Sequence, residues 1–417
     1  MTARAPSQAE EEFAKLFPTD ASPCARASFA RFRQAGLPSR RVESWHYSDL
    51  RARLRAVPAL APAPDAASRA IARQKLRPSD RLRIVTVDGF FAPDLSDDFS
   101  TLPGVEISSA GEADALSQAA DPLLDLNAAF FSRGGFVLDI AAGARIEQVI
   151  EIVALTGAQT DRSRFGRNLI RLRADARAQI LETRDEGFAG FGDSALFVEL
   201  GEGAQLDYAC RCRETASVEV QSFTATLAAR AQLRAVALLA QTPFLRRQYF
   251  VSLAGEGAEL QLAGAVVLGR DDHADVTVVA RHDAPACVSR ETFKYVLGDH
   301  ANAVFQGKIT VPPHAQKTDG KMLCRGLLLS DDAALSAKPE LEIFADDVAC
   351  GHGAAVAKLD AQNLFYLETR GIPHIEAEKI LIDAFAADVF EALESEALRD
   401  LLRADLSKLL GEEEPAA

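Results

Sequence analysis

The sequence predicts a mainly β fold, a parallel β-helix set between helical ends, and three observations predict it. From about residue 135 the chain is built of short period-two runs, in which Leu206, Tyr208, Cys210 and Cys212 fall on one face and Asp207, Ala209 and Arg211 on the other. Similar runs begin at Ile146, Leu233 and Leu260, and small-residue turns introduce them: Ala142-Gly143-Ala144, Ala229-Arg230-Ala231 and Gly255-Glu256-Gly257-Ala258. The spacing also recurs, with 27 residues from Leu206 to Leu233 and 27 again from Leu233 to Leu260. A single coil leaves its inner face uncovered until the next one stacks on it, so such repeats extend one continuous apolar column. A β-sandwich is the competing fold.

The flanking elements follow in order. Ser7 and Glu10 form a capping box ahead of Phe13, Leu16 and Phe17, and Phe29, Phe32 and Leu37 continue a helical pattern. Residues 57–67, rich in Ala and Pro, read as a connector. Leu82, Ile84, Thr86 and Asp88 then begin a strand that stops at Gly89. Beyond Asp360 the spacing returns to helical, with Leu381, Phe385 and Val389 on one stripe and Leu398, Leu401, Leu402, Leu406 and Leu409 on another. The resulting division is a helical region over 1–79, a small mixed α/β segment over 80–130, the β-helix over 131–360 and a C-terminal helical region over 361–417. The final stripes suit either a cap on the solenoid or a partner helix surface.

Composition narrows the function. A net charge of -14 with no gathered Lys and Arg argues against nucleic-acid binding. No apolar run approaches membrane-spanning length, and the first twelve residues lack a basic and apolar leader, so a cytoplasmic protein is expected. Six cysteines, at 24, 210, 212, 287, 324 and 350, are too sparse for a disulfide framework and contain no CxxC pair. Walker A, GxSxG, HExxH and strand-linked GxGxxG motifs are absent from the chain. Gly307-Lys308-Ile309-Thr310 superficially suggests a phosphate loop, but Asn302 stands where the upstream glycine is required.

The chemistry-bearing stretch is Ala345-Asp346-Asp347-Val348 leading into Cys350-Gly351-His352-Gly353-Ala354. Residues two apart on a strand point the same way, so Cys350 and His352 present a thiol and an imidazole from one face. Asp346 and Asp347 upstream are candidates to orient the imidazole. Cys210, Cys212, Cys287 and Cys324 read as apolar core instead. His273, among Asp271, Asp272 and Asp275, reads as part of a solvated turn, and no closed zinc site is expected. Trp45, the only tryptophan, is expected to anchor the helical start against the remainder.

Several motifs in order carry a family resemblance: Glu43-Ser44-Trp45-His46-Tyr47, Lys294-Tyr295-Val296-Leu297, Ala303 to Ile309, Ala315-Gln316-Lys317-Thr318-Asp319, Leu327-Leu328-Leu329-Ser330 and the stretch around Cys350. Together they resemble the SufB and SufD family of the SUF iron–sulfur cluster assembly system. The Trp45 motif and residues 346–354 are similar to the SufD branch.

The resemblance implies a right-handed parallel β-helix that pairs with a SufB-like paralogue and recruits a SufC-like ABC ATPase through its C-terminal helices. The chain itself is then a scaffold and not an enzyme, with a homodimer as a form in isolation. It further implies that His352, with Cys350 beside it, is a site for a transient iron–sulfur cluster at the paralogue interface. The alternatives are a purely structural partner without ligands of its own, and a β-helix enzyme acting on polysaccharide.

Overall fold

The leucines spaced 27 residues apart are ladder partners: Leu206 pairs with Leu233 and Leu233 with Leu260 in parallel register. The computed structural model describes residues 5–111, 121–131, 134–184, 188–212 and 217–411. Within them two sheets alternate along the chain. The first contains β1 (Leu82–Val87), β2 (Phe90–Phe91), β5 (Ile150–Leu155), β7 (Arg177–Arg184), β9 (Gln205–Cys212), β11 (Gln232–Ala240), β13 (Glu259–Leu268), β15 (Val288–Leu297), β17 (Asp319–Leu328) and β19 (Ala349–Ala357). The second contains β3 (Val105–Ser109), β4 (Phe136–Ile140), β6 (Ser163–Leu172), β8 (Phe191–Leu200), β10 (Val218–Leu227), β12 (Phe244–Leu253), β14 (His273–His282), β16 (Asn302–Val311) and β18 (Ala334–Ile343).

The result is a parallel β-solenoid of about seven turns. Among the described residues only β1–β2 and β3–β4 are antiparallel. The segment over 80–130 has no sheet of its own, because β1 pairs with β5 and β3 with β4, which places its strands at the first end of both sheets.

Each coil turns at a residue in the left-handed region. Gly143, Asp175, Gly203, Arg230, Gly257, Ala286 and Lys317 all have positive φ. Their amides also bond one coil onward, Gly203 N to Ala229 O, Arg230 N to Glu256 O and Gly257 N to Pro285 O. The small-residue turns read from the sequence are these corners. Glycine adopts the conformation without steric cost, while Arg230 and Ala286 are held in it by the stacked ladder.

Inward-facing residues of both sheets fill the lumen, among them Leu206, Leu233, Leu260, Phe223, Tyr249, Phe293 and Phe305. Fully burying one such leucine contributes about 1.5–3 kcal/mol.

Helices cover the two flanks. The amino-terminal set is α1 (Gln8–Leu16), α2 (Pro23–Ala35), α3 (Leu50–Arg53) and α4 (Ala66–Lys75), joined by α5 (Pro122–Phe130). The Ser7–Glu10 capping box is present in α1. Phe13, Phe32, Trp45 and Phe130 pack with Phe191, Val220 and Phe244 on the outer face of the second sheet.

At the carboxyl end lie α6 (Ala361–Glu368), α7 (His374–Ala387) and α8 (Glu396–Leu409). Ile382, Phe390, Leu398, Leu402 and Leu406 pack on Ala209, Val236, Leu238 and Ala265 of the first sheet. Arg211 closes on Asp405 at 2.6 Å and Lys294 on Asp388 at 2.6 Å. The chain from α7 through α8 therefore clamps the side of the solenoid, while α6 takes no part in that packing.

Candidate functional site

The last coil leaves β18 and β19 as edge strands, each paired on one side only. An edge strand presents a row of unpaired backbone donors and acceptors, ready to template another strand. Large apolar side chains stand exposed around the same end, Phe344 at 63% and Val356 at 47%.

Cys350 and His352 both lie on β19. Its register with β17 sets Cys350 opposite Gly320, His352 opposite Met322 and Ala354 opposite Cys324. Met322 and Cys324 belong to the lumen core, so Cys350 and His352 share the inward-facing side. Among the described residues no further coil lies over them. Cys350 is half-buried and packs against the lumen cluster, whereas His352 is exposed. Burial pushes the Cys350 thiol up from its ordinary value, and the charges of Asp319 and Glu291 push it the same way.

Asp347 does not orient the imidazole. Asp347 pairs with Lys317, and its amide accepts no role at His352, donating instead to Gln316 Oε1 at 2.9 Å. Among the described residues no group of three or more His, Cys, Asp and Glu side chains could hold a metal ion. Cys350 and His352 thus supply at most two ligands, and a metal cargo would take its others from elsewhere.

His273 differs from its expected setting in a solvated turn. It begins β14 on the outer face, where the amino-terminal helices cover it; Nε2 lies 2.9 Å from Ser48 Oγ and the ring stacks on Phe244 with centroids 5.1 Å apart. Burial pushes its pKa down to about 4. His282 is fully buried in the lumen, with Nε2 3.0 Å from Ser289 Oγ. His314 bonds the carbonyl of Asp283 at 3.0 Å, and His300 lies 3.8 Å from Asp332.

Cys210, Cys212, Cys287 and Cys324 are buried. Burial pushes the thiols of Cys210 and Cys212 up to about 11 and about 12, which keeps both protonated near neutrality. Beside them the lumen holds a polar network absent from the sequence reading. Arg247 donates to Gln221 Oε1 at 2.8 Å, Tyr208 Oη at 3.1 Å and Tyr249 Oη at 3.0 Å, while Tyr208 donates to Glu182. Its members come from β7, β9, β10 and β12. Only the period-two placement of Tyr208 and Arg247 among apolar neighbours signals it in the sequence.

A second exposed surface lies on α6 and α7. No residue of α6 is buried, and Phe365, Tyr366, Ile375 and Ile380 are 66%, 54%, 67% and 43% exposed. His374 ties the two helices together, its Nδ1 2.6 Å from Glu368. Arg370 lies over the Tyr366 ring at 3.8 Å.

Fold and end rung together define a β-solenoid protein whose uncovered terminal strand carries a thiol and an imidazole. Residues 154–385 match the SufBD core domain of the SUF system for FeS cluster assembly, and the chain belongs to that SufBD family. It is 29% identical over 406 residues to the iron-sulfur cluster assembly protein SufD of Escherichia coli, covering 94% of each chain. A SufBD family protein of Synechocystis is 27% identical over 395 residues, covering 88% of this chain and 86% of the relative. The chloroplastic protein ABCI7 of Arabidopsis thaliana is 39% identical over 129 residues, 31% of this chain and 27% of that protein.

Proposed function

We propose that the chain is the non-ATPase scaffold subunit of a SUF assembly complex, pairing with a SufB-like paralogue through the uncovered end of its solenoid. Cys350 and His352 meet the nascent cluster at that junction, and the exposed face of α6 and α7 engages a SufC-like ABC ATPase. The observation that supports this reading is the register of β19, which sets Cys350 and His352 on the lumen side of a rung that no described strand covers.

A thiolate and an imidazole suit iron, and an apolar surround limits water at the bound cargo. The cargo is iron and sulfide in transit, so an incomplete ligand set fits a site that must also release what it holds. Residues of the paralogue, stacked as the next coil, complete the ligation. Motion at α6 reaches β19 through residues 358–360, while α7 and α8 are anchored further along the first sheet by Lys294–Asp388 and Arg211–Asp405.

Coexpression with the SufB-like chain and the ABC ATPase tests the proposal. His352→Ala should leave the complex assembled, as read by size-exclusion chromatography, and sharply reduce cluster formation in cells. Unchanged cluster yield would support the purely structural partner, for which the two-ligand limit speaks.

A further inference from the structure

The lumen beneath the terminal rung contains an unpaired acid. Inward positions on β15 include Ser289 and Glu291, and two ladder steps carry them to the end: Ser289 to Gly320 to Cys350, and Glu291 to Met322 to His352. Adjacent strands lie about 4.8 Å apart, so Glu291 sits roughly 10 Å below His352, near it but not touching.

Glu291 is fully buried; neither carboxyl oxygen has a hydrogen-bond partner at close geometry, and the Ser289 hydroxyl and Arg290 charge offset its burial only in part. An isolated carboxyl in an apolar interior is destabilising, and well-packed apolar residues would serve the lumen better. Burial pushes its pKa up to about 8.

The intervening rung is apolar: Met322 stands between Glu291 and His352, and Ile309 packs against Gly320. Gly320 places no side chain between Ser289 and Cys350; a Cβ there would lie 3.5 Å from Ser289 Oγ. The thioether of Met322 reaches across the lumen to Gly307, where a Cβ would lie only 2.1 Å from Sδ. The titratable and charged groups around Glu291 are Arg290 on its own strand, His282 from β14, Asp319 from β17, and Cys350 and His352 from β19. On β13 the facing residue is Leu262. Arg290 is turned to the carbonyl and carboxylate of Asp319, so no cation is seated on Glu291 inside the lumen among the described residues.

We propose that Glu291 is the internal counter-charge for a cation held at Cys350 and His352. The inference rests on the reading of that rung as a cargo site. A divalent metal bound by the Cys350 thiolate and a neutral His352 imidazole leaves one net positive charge, which a Glu291 carboxylate neutralises across a low-dielectric gap. Binding then releases the thiol proton and the Glu291 proton to solvent, with no change of oxidation state.

The test uses the full chain carrying Cys24→Ser, which removes the exposed competing thiol. Co²⁺ is titrated by calorimetry in two buffers of different ionisation enthalpy, with the thiolate-to-metal absorption as a second readout. Near pH 7 the parent should release about two protons per Co²⁺, against about one for Glu291→Gln, and at pH 8 the variant should bind roughly tenfold more weakly. Gln matches the neutral acid in shape, so the variant retains the fold. Equal proton release and affinity, in binding that His352→Ala removes, would overturn the role of Glu291 and leave the cargo site standing. Parent binding that His352→Ala does not reduce, or no binding at all, would overturn the cargo site and this inference with it.

Discussion

The guanidinium of Arg246 lies 3.8 Å from the Trp45 ring centroid and 2.5 Å from Asp275, with Arg246 1% and Asp275 0% exposed. This stack fixes the amino-terminal helices to the second sheet, since Trp45 comes from the short turn before α3 and Arg246 from β12. Removing the cation leaves the buried Asp275 carboxylate with the Thr277 hydroxyl but no countercharge. Arg246→Ala should destabilise the fold by about 3–5 kcal/mol. Denaturant unfolding followed by the fluorescence of Trp45 measures it, and an unchanged midpoint would contradict the assignment.

Leu233 is 1% exposed and is stacked between Leu206 and Leu260. Leu233→Ala opens a void that the neighbouring coils cannot close, because backbone ladders hold their spacing. The expected loss is about 2–5 kcal/mol by equilibrium unfolding. An exposed apolar residue such as Ile375 provides the contrast, and Ile375→Ala should shift stability by less than about 0.5 kcal/mol.

Two buried histidines and one buried acid give stability opposite pH slopes. Burial holds His273 and His282 at about 4, against 6.5 for the ordinary imidazole. The unfolded chain therefore takes up protons between those values that the fold refuses. Stability is fully present above about 6.5 and falls as pH drops towards about 4, by about 2–3 kcal/mol for each histidine.

Glu291 acts in the other direction. Its pKa rises from 4.5 to about 8, so the fold keeps a proton that the unfolded chain releases, and stability falls as pH rises across that window. Glu291→Gln should thus stabilise the chain at pH 8 by on the order of 2–4 kcal/mol and have little effect at pH 4. Thermal unfolding of the variants across pH 4–8 checks both slopes.

The exposed hairpin of α6 and α7 separates partner capture from folding. Deleting residues 376–417 would strip α8 from the first sheet and uncover Leu238 and Ala265, so loss of binding by that truncation would be ambiguous. Phe365→Asp with Ile375→Asp alters only exposed positions. It should abolish copurification of the ABC ATPase while leaving the melting temperature within a few degrees of the parent.

The sequence made legible what repeats locally. The 27-residue period is the ladder register, and the small-residue turns are the left-handed corners, because both follow from one coil's own pattern. That Cys350 and His352 share one face was legible for the same reason, from strand alternation alone; that the face is the lumen side came from the register with Met322 and Cys324. Long-range packing was not. His273 sits among aspartates and looks solvated until Ser48, 225 residues earlier in the chain, covers it. The Arg247–Tyr208–Glu182 network joins strands from different coils, and beyond the inward placement of Tyr208 and Arg247 nothing local marks it. Helical stripes around Leu398 and Phe385 announced a buried face but not which surface would bury it, so flank and end were indistinguishable. Glu291 falls between Arg290 and Thr292 in a run that looks ordinarily polar, and only the burial of β15 on its lumen side shows the acid to be isolated.

The role of His352 is tested most directly by the iron and acid-labile sulfide retained on the complex purified from cells with its paralogue and ATPase. Parent complex should carry both, and His352→Ala should lose most of both while the subunit ratio stays the same. Equal iron and sulfide on the two complexes would contradict a cluster built at the uncovered rung.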